Sequence, residues 1–118
     1  DCKRRDFTIN ALCYNNNEGL LDFFGGVNDL SNKIIRCIGN ANERIDEDAL
    51  RILRALRFAG RLSFTIEENT ATAIHKQKDL LHYISEERIH SEWIGILETN
   101  ALSSILTEYN DVIQVFIP

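Results

Sequence analysis

Two carboxylates and a series of arginines near the middle of the chain are the residues whose types and spacing could do chemistry. Because successive residues of an α-helix turn by about 100°, Glu47 and the arginines would share one side of a helix, with Asp48 at its edge. Arginine binds anionic and planar groups through a rigid fork of donors. The pattern predicts a face that holds such a ligand, against the alternative of a salt-bridged surface helix. The arginines are Arg51, Arg54, Arg57 and Arg61.

The opposite side of the same predicted helix is apolar, as a face directed to the core should be. Asp46 is the expected N-cap, and the two acids that follow it would complement the helix dipole in the first turn. One helix from residue 47 to about residue 61 would therefore position the whole series. Its core-facing residues would be Ala49, Ile52, Leu53, Leu56 and Ala59.

The segments before residue 46 predict a mixed region. We expect a short helix over residues 7–14, a strand over 20–24, a helical turn over 27–33 and a β-branched strand over 34–38. The two strands are expected to pair antiparallel. A two-stranded hairpin alone is only marginally stable in water. The small size of this segment therefore favours the interpretation that the chain is a fragment of a larger protein.

After residue 46 the pattern is helical throughout. Thr65 has the capping-box spacing for a helix that runs to about residue 82, and Ser85 can cap a third helix over 86–98. Leu102 begins a fourth. Trp93 is expected in the core. The fold class predicted is mainly α with a small antiparallel β-hairpin (α+β).

Composition excludes several classes of function. The net charge of −5 over 118 residues argues against indiscriminate nucleic-acid binding, so phosphate contacts must come from local clusters such as Lys3-Arg4-Arg5 and the arginine face. No apolar run approaches the roughly 18 residues of a membrane span. Three cysteines without a CxxC pair predict reduced thiols and a cytoplasmic protein. The three histidines lack a carboxylate at ligand spacing and are interpreted as solvated or capping residues, with no metal site.

Four stretches, taken in order, resemble one enzyme family. Residues 4–12 read RRDFTINAL, residues 22–26 read DFFGG, residues 47–58 read EDALRILRALRF and residues 84–89 read ISEERI. Together they resemble the tRNA nucleotidyltransferases that build the 3′ CCA end, in their bacterial and eukaryotic class. Bacterial poly(A) polymerases share these motifs and are the nearest alternative. A helical RNA-binding module without catalysis is the alternative from a different class.

The resemblance implies a division of the chain. Residues 1–45 would be the C-terminal end of a nucleotidyltransferase head domain, and residues 46–118 a helical neck and the start of a body that faces RNA. The parent enzyme would use CTP, ATP, Mg²⁺ and a tRNA 3′ end. Its metal-binding D-x-D pair would lie upstream, so we expect no catalytic or metal-binding residue in this fragment. A homodimer through the surface exposed by truncation is a further expectation.

The resemblance also implies roles for individual residues. Asp48 accepts hydrogen bonds only and Arg51 donates only, so the two would match the Watson–Crick edges of cytosine and adenine and mismatch those of guanine and uracil. Arg54 and Arg57 would bind the phosphates of the nucleotide. Arg5 would lie nearby, and Asp6 would accept a hydrogen bond from a ribose hydroxyl. The nucleotide-binding residues are thus predicted to be Arg5, Asp6, Glu47, Asp48, Arg51, Arg54 and Arg57.

Overall fold

The computed structural model describes residues 6–15, 19–22 and 26–117, and describes side chains at residues 6–9 and 26–117. Arg5 and the apolar pair Phe23 and Phe24 lie outside the described residues. The helices are α1 (Gly26–Asn32), α2 (Ala41–Glu47), α3 (Leu50–Leu62), α4 (Glu68–Gln77), α5 (Glu86–Leu97), α6 (Leu102–Glu108) and α7 (Asn110–Phe116). The strands are β1 (Leu12–Asn15), β2 (Gly19–Asp22), β3 (Ile34–Ile35) and β4 (Thr65–Ile66), and 3-10 helices span Thr8–Ala11 and Lys78–Tyr83.

The predicted mainly helical fold is confirmed, but the predicted strand pairing is wrong. β1 and β2 form an antiparallel hairpin with Leu12 opposite Asp22, whereas β3 pairs in parallel with β4. Residues 34–38 cannot pair with 20–24 because both of their edges are taken. The backbone N–H of Glu67 donates to Ile35 O at 2.8 Å on one side, and the N–H of Thr8 donates to Arg36 O at 2.9 Å on the other.

The predicted helix over residues 7–14 is also wrong. A single 3-10 turn at Thr8–Ala11 leads directly into β1, because the backbone groups of Leu12–Asn15 are used in the hairpin with β2. The helical turn expected over 27–33 is confirmed as α1, which ends where Lys33 adopts a left-handed φ of 60°.

The arginine helix begins later than predicted. Asp46 is not its N-cap, since residues 41–47 form the separate helix α2, which is capped by Asn40: its side chain accepts from the N–H of Glu43 at 3.0 Å. Asp48 is extended, with φ −154° and ψ 100°, and breaks the helical path. The chain therefore turns between α2 and α3 at the acid that was expected inside the first helical turn.

Of the later helices, one is confirmed at its predicted cap and one begins elsewhere. Ser85 accepts from the N–H of Arg88 at 3.3 Å and starts α5, as predicted. Thr65 lies in β4 instead of capping a helix, because its N–H bonds to Lys33 O at 2.9 Å; Glu67 caps α4 in its place. The predicted fourth helix is divided into α6 and α7 at Tyr109.

The core is built around α3. All five predicted core-facing residues of this helix are buried, and Ile52, Leu53 and Leu56 are fully so. Phe7, Ile35 and Cys37 join the same cluster, which therefore crosses residue 45. Burial raises the pKa of the Cys37 thiol to about 11. Trp93 packs against this core, edge-on to Phe116. Within the described residues, none of the helices has the length and hydrophobicity that crossing a membrane requires.

Candidate functional site

The turn between α2 and α3 holds Asp48 by both carboxylate oxygens. Oδ1 accepts from the backbone N–H of Leu50 at 3.2 Å, and Oδ2 accepts from Arg88 Nη2 on α5 at 3.0 Å. The Asp48 side chain keeps 34% of its surface exposed and that of Arg88 keeps 50%. The acid is therefore oriented by two protein donors and still accessible to a ligand.

Arg51 lies one turn beyond Asp48 but is held by different groups. Its Nη1 donates to the backbone oxygen of Arg44 at 2.6 Å and lies 3.8 Å from Glu47 Oε1. Glu47 also accepts from Arg44 Nη1 at 3.2 Å. No ion pair joins Asp48 to Arg51 within the described part of the chain. The structure brings these two predicted site residues to one end of α3 without pairing them.

Arg54 binds the predicted site residue Asp6, which is almost fully buried. Arg54 Nε donates to Asp6 Oδ2, and the guanidinium carbon lies 5.7 Å from the centre of the Phe58 ring. Burial lowers the pKa of Arg54, but the hydrogen bond and negative charge of Asp6 outweigh that effect and raise it. Asp6 itself is only 7% exposed.

Arg57 is seated against α5. Its Nε lies 3.3 Å from Glu92 Oε1, and its guanidinium carbon lies 5.1 Å from the centre of the Phe58 ring. Gly95 leaves room for the arginine stem, because a Cβ at that position would lie 2.7 Å from Arg57 Cδ. Phe58 is in turn fixed edge-on against Phe7, with ring centroids 5.7 Å apart.

Arg54 and Arg57 share one arrangement that decides what they can bind. In both, the acidic partner faces Nε, on the inner side of the guanidinium. Within the described residues, the terminal Nη groups of these two arginines take part in no hydrogen bond. Each guanidinium has five N–H donors, and a phosphate or carboxylate can accept two of them side by side. Arg54 is hydrogen-bonded to its acid, whereas Arg57 and Glu92 are in contact without a hydrogen bond. The Nη donors of both arginines therefore remain for an anion.

The last arginine of the series was not predicted as a site residue. Arg61 is exposed and lines a cleft of about 180 Å³ together with Arg57, Gly95 and Glu98. Two residues that position the site were not predicted as site residues: Arg88 and Glu92. Their spacing of four residues on a helix was the available signal, because it places them on one face.

No metal site is seen in the part of the chain that the structure describes. There, no group of three or more His, Cys, Asp or Glu side chains lies close enough to hold an ion. His75 instead pairs with a carboxylate that is distant in sequence, its Nδ1 lying 2.8 Å from Asp111 Oδ2. Lys78 Nζ reaches the same oxygen at 3.2 Å. This cluster joins α4 and its 3-10 extension to α7.

Comparisons with known proteins agree on one family. A family model described as the poly A polymerase head domain matches residues 1–36, and one described as the probable RNA and SrmB-binding site of polymerase A matches residues 63–109. The CCA-adding enzymes of Ligilactobacillus salivarius and Enterococcus faecalis are 50% and 52% identical over 97 residues. Each match covers 82% of this chain and 24% of the relative.

Solved structures give the same result. The CCA-adding enzyme of Bacillus stearothermophilus in complex with CTP aligns with a TM-score of 0.90 and 38% identity, over 94% of this chain and 28% of that one. The Thermotoga maritima CCA-adding enzyme complexed with tRNA aligns with a TM-score of 0.85 and 34% identity, over 98% and 29%. The chain thus spans about a quarter of the length of these relatives. It belongs to the poly(A) polymerase-like family of nucleotidyltransferases.

Proposed function

We propose that this chain is the nucleotide-selecting portion of a template-independent nucleotidyltransferase that adds CCA to tRNA 3′ ends from CTP and ATP. The observation that carries the proposal is the turn between α2 and α3. There a partly exposed carboxylate, Asp48, stands at the head of a helix on which Arg54 and Arg57 each meet an acid through Nε. The similarity to enzymes solved with CTP and with ATP supports it.

Selection of the base follows from the donor and acceptor types of two side chains. Cytosine and adenine each present an amino donor beside a ring-nitrogen acceptor, which Asp48 and Arg51 can satisfy together. Guanine and uracil present a carbonyl beside a ring N–H, so both protein groups would be left unpaired. A site built on such hydrogen bonds can reject the wrong partner by roughly 10⁴-fold. The protein would then replace a nucleic-acid template.

The remaining predicted residues would hold the rest of the nucleotide. Arg54 and Arg57 would bind its phosphates through their outer Nη groups, and Asp6, while anchoring Arg54, would accept from a ribose hydroxyl. Arg5 would lie nearby. Glu47 would keep Arg51 in place, since its carboxylate lies 3.8 Å from Arg51 Nη1.

The chemical step would need groups beyond these. Nucleotidyl transfer uses Mg²⁺ to bind the triphosphate and activate the attacking hydroxyl. The resemblance implies that such an ion would be held by a D-x-D pair upstream of the RRDFTINAL motif. The tRNA 3′ end would be the acceptor, and that substrate would place the enzyme in the cytoplasm.

A poly(A) polymerase is the second candidate, because both matching family models carry that name. Such an enzyme would prefer ATP over CTP at the same residues. A helical RNA-binding module without nucleotide selection remains the alternative from another class.

Titration of the isotope-labelled chain with single nucleotides would separate these candidates. We expect CTP and ATP to shift the backbone amide signals of the α2–α3 turn and of α3, with UTP and GTP binding much more weakly. Dominance of ATP over CTP would favour the poly(A) polymerase. Equal shifts with all four nucleotides, or none with any, would contradict nucleotide selection by this chain.

A further inference from the structure

One face of α5 is directed at the residues proposed to select the nucleotide. Arg88, Glu92 and Gly95 follow each other at intervals of four and three residues, the spacing of one helix face. Arg88 contacts Asp48, Glu92 contacts Arg57, and Gly95 leaves space for the stem of Arg57. This helix therefore touches both ends of the proposed nucleotide site.

The contact between Arg88 and Asp48 fixes a direction that the backbone alone does not. Asp48 accepts from Leu50 N–H through Oδ1 and from Arg88 Nη2 through Oδ2, at 3.2 and 3.0 Å. An ionised carboxylate has about four lone-pair sites, so two directions stay open to a base. With only one donor in place, the carboxylate would be freer to rotate about its side-chain torsions.

Arg51 does not supply this second donor in the arrangement seen. Its Nη1 is bound to Arg44 O at 2.6 Å and lies beside Glu47. Among the residues that the structure describes, Arg88 is the cation that pairs with Asp48.

The pair is too exposed to be a major source of stability. Ion pairs between exposed side chains typically contribute about 0–1 kcal/mol, and here the two side chains are 50% and 34% exposed. Its effect should therefore be found in the geometry of Asp48 more than in the folding of the chain.

We infer that Arg88 is a positioning residue for nucleotide selection, which holds the Asp48 carboxylate in the direction that accepts the amino group of cytosine or adenine. The inference rests on the proposed function. It adds to that function a residue outside the arginine helix that sets the preference for CTP and ATP over UTP and GTP.

The test compares dissociation constants of CTP and UTP for the 118-residue chain and three variants, followed by amide shifts. Arg88→Met removes the charge and keeps the length of the side chain, and Arg88→Lys restores the charge without the planar fork. Lys78→Ala removes a different ion pair, with Asp111, as the matched control. A melting curve of each variant reports its folding.

We expect Arg88→Met to lower the preference for CTP over UTP by about tenfold, the effect of one hydrogen bond to a charged group. Arg88→Lys should recover part of it, and Lys78→Ala should leave the preference unchanged. An unchanged preference in Arg88→Met would overturn the inference, as would equal weakening of both nucleotides. If the unaltered chain itself shows no preference, the proposed function has failed, independently of Arg88.

Discussion

At the scale of single residues, acids and arginines of the candidate site form ion pairs with each other in the absence of a ligand. Each acid near α3 has a cation: Asp6 binds Arg54, Asp48 binds Arg88 and Glu92 faces Arg57. The residue types and the arginine spacing could be predicted from the sequence, because a helical period places them on one face. The partners could not, because they come from segments 35 to 48 residues away.

The first prediction concerns Asp48. Asp48→Ala should reduce the preference for CTP over UTP by about 10- to 100-fold, since a hydrogen bond to a charged group is worth about 1.5–3 kcal/mol. The chain should stay folded, with a small loss from the missing bond to Leu50 N–H. Amide-shift titrations of all four nucleotides measure the preference. Asp46→Ala, which removes an exposed acid two residues away, is the control; an equal effect there would assign the change to charge alone.

At the scale of elements, periodicity predicted the buried face of α3 and capping residues predicted the start of α5. Periodicity could not show the break between α2 and α3 at Asp48, because the helical pattern of side chains continues through this residue although its backbone is extended. The missed helix α2 had a visible signal, Asn40 followed three residues later by Glu43, which is a helix N-terminus pattern. The parallel pair of β3 and β4 had none, because it depends on α2 and α3 crossing between them.

Two glycines at the contacts of α3 should respond differently to the same substitution. Gly60→Ala would place a Cβ 2.5 Å from Thr99 Oγ1 and 2.8 Å from Thr99 Cβ, close to the backbone. Such overpacking should destabilise the chain by about 1–3 kcal/mol. Gly95→Ala meets the flexible stem of Arg57 instead, so stability should hold while Arg57 moves. Urea unfolding and CTP titration check both variants; a stable Gly60→Ala, or unchanged CTP affinity in Gly95→Ala, would contradict this account of the contacts.

The cluster that joins α4 to α7 predicts an acid-sensitive contact. Burial raises the pKa of Asp111, but its hydrogen bonds to His75 and Lys78 outweigh that effect and lower it. The carboxylate therefore stabilises the fold above the ordinary Asp pKa of about 3.9. That contribution to stability is lost as the pH falls through the lowered pKa that Asp111 has in the folded state.

Urea midpoints of the unaltered chain and of Asp111→Asn should therefore differ at pH 6 and converge as the pH falls below about 4. The negative charge of Glu108 acts on Tyr109, which stacks on His75 of the same cluster. Glu108→Gln is therefore the matched control, and the urea midpoints of its Asp111→Asn pair should still converge at low pH. Midpoints that differ by the same amount at every pH would show that the ion pairs of Asp111 contribute nothing through its charge.

At the scale of the whole molecule, the hydrophobic core contains residues from both sides of the predicted division at residue 45. Phe7 is fully buried and lies edge-on against Phe58 of α3. Helix α3, from the other side of that division, therefore supplies the packing partner of Phe7. The division into head and neck, and a homodimer through the first segment, stay predictions; light scattering on the purified chain would measure the second.

Catalysis by the isolated chain is not expected. The resemblance implies that the metal-binding D-x-D pair lies upstream of the RRDFTINAL motif, and the chain spans about a quarter of the length of its relatives. Incubation with tRNA, Mg²⁺ and labelled CTP or ATP should therefore give no incorporation. Turnover that is lost when a carboxylate of this chain is mutated would show that a metal site lies within it.

The last prediction tests whether the two predicted segments unfold as one. Because Phe7, Ile35 and Cys37 share a core with α3, unfolding should be a single transition. Trp93 fluorescence reports α5, and far-ultraviolet circular dichroism reports the whole chain; their urea midpoints should coincide. Phe7→Ala should lower both urea midpoints together. It should reduce the free energy of unfolding by about 3–5 kcal/mol, a large share of the 5–15 kcal/mol typical of a domain.

Leu97→Ala is the control for this experiment, since it shortens an apolar side chain that is 45% exposed and should change stability little. If Phe7→Ala instead shifts only part of the circular dichroism signal and leaves the Trp93 transition in place, residues 1–45 unfold separately. The head and neck would then be independent units, and the contact between Phe7 and Phe58 would be an interface between them instead of part of one core.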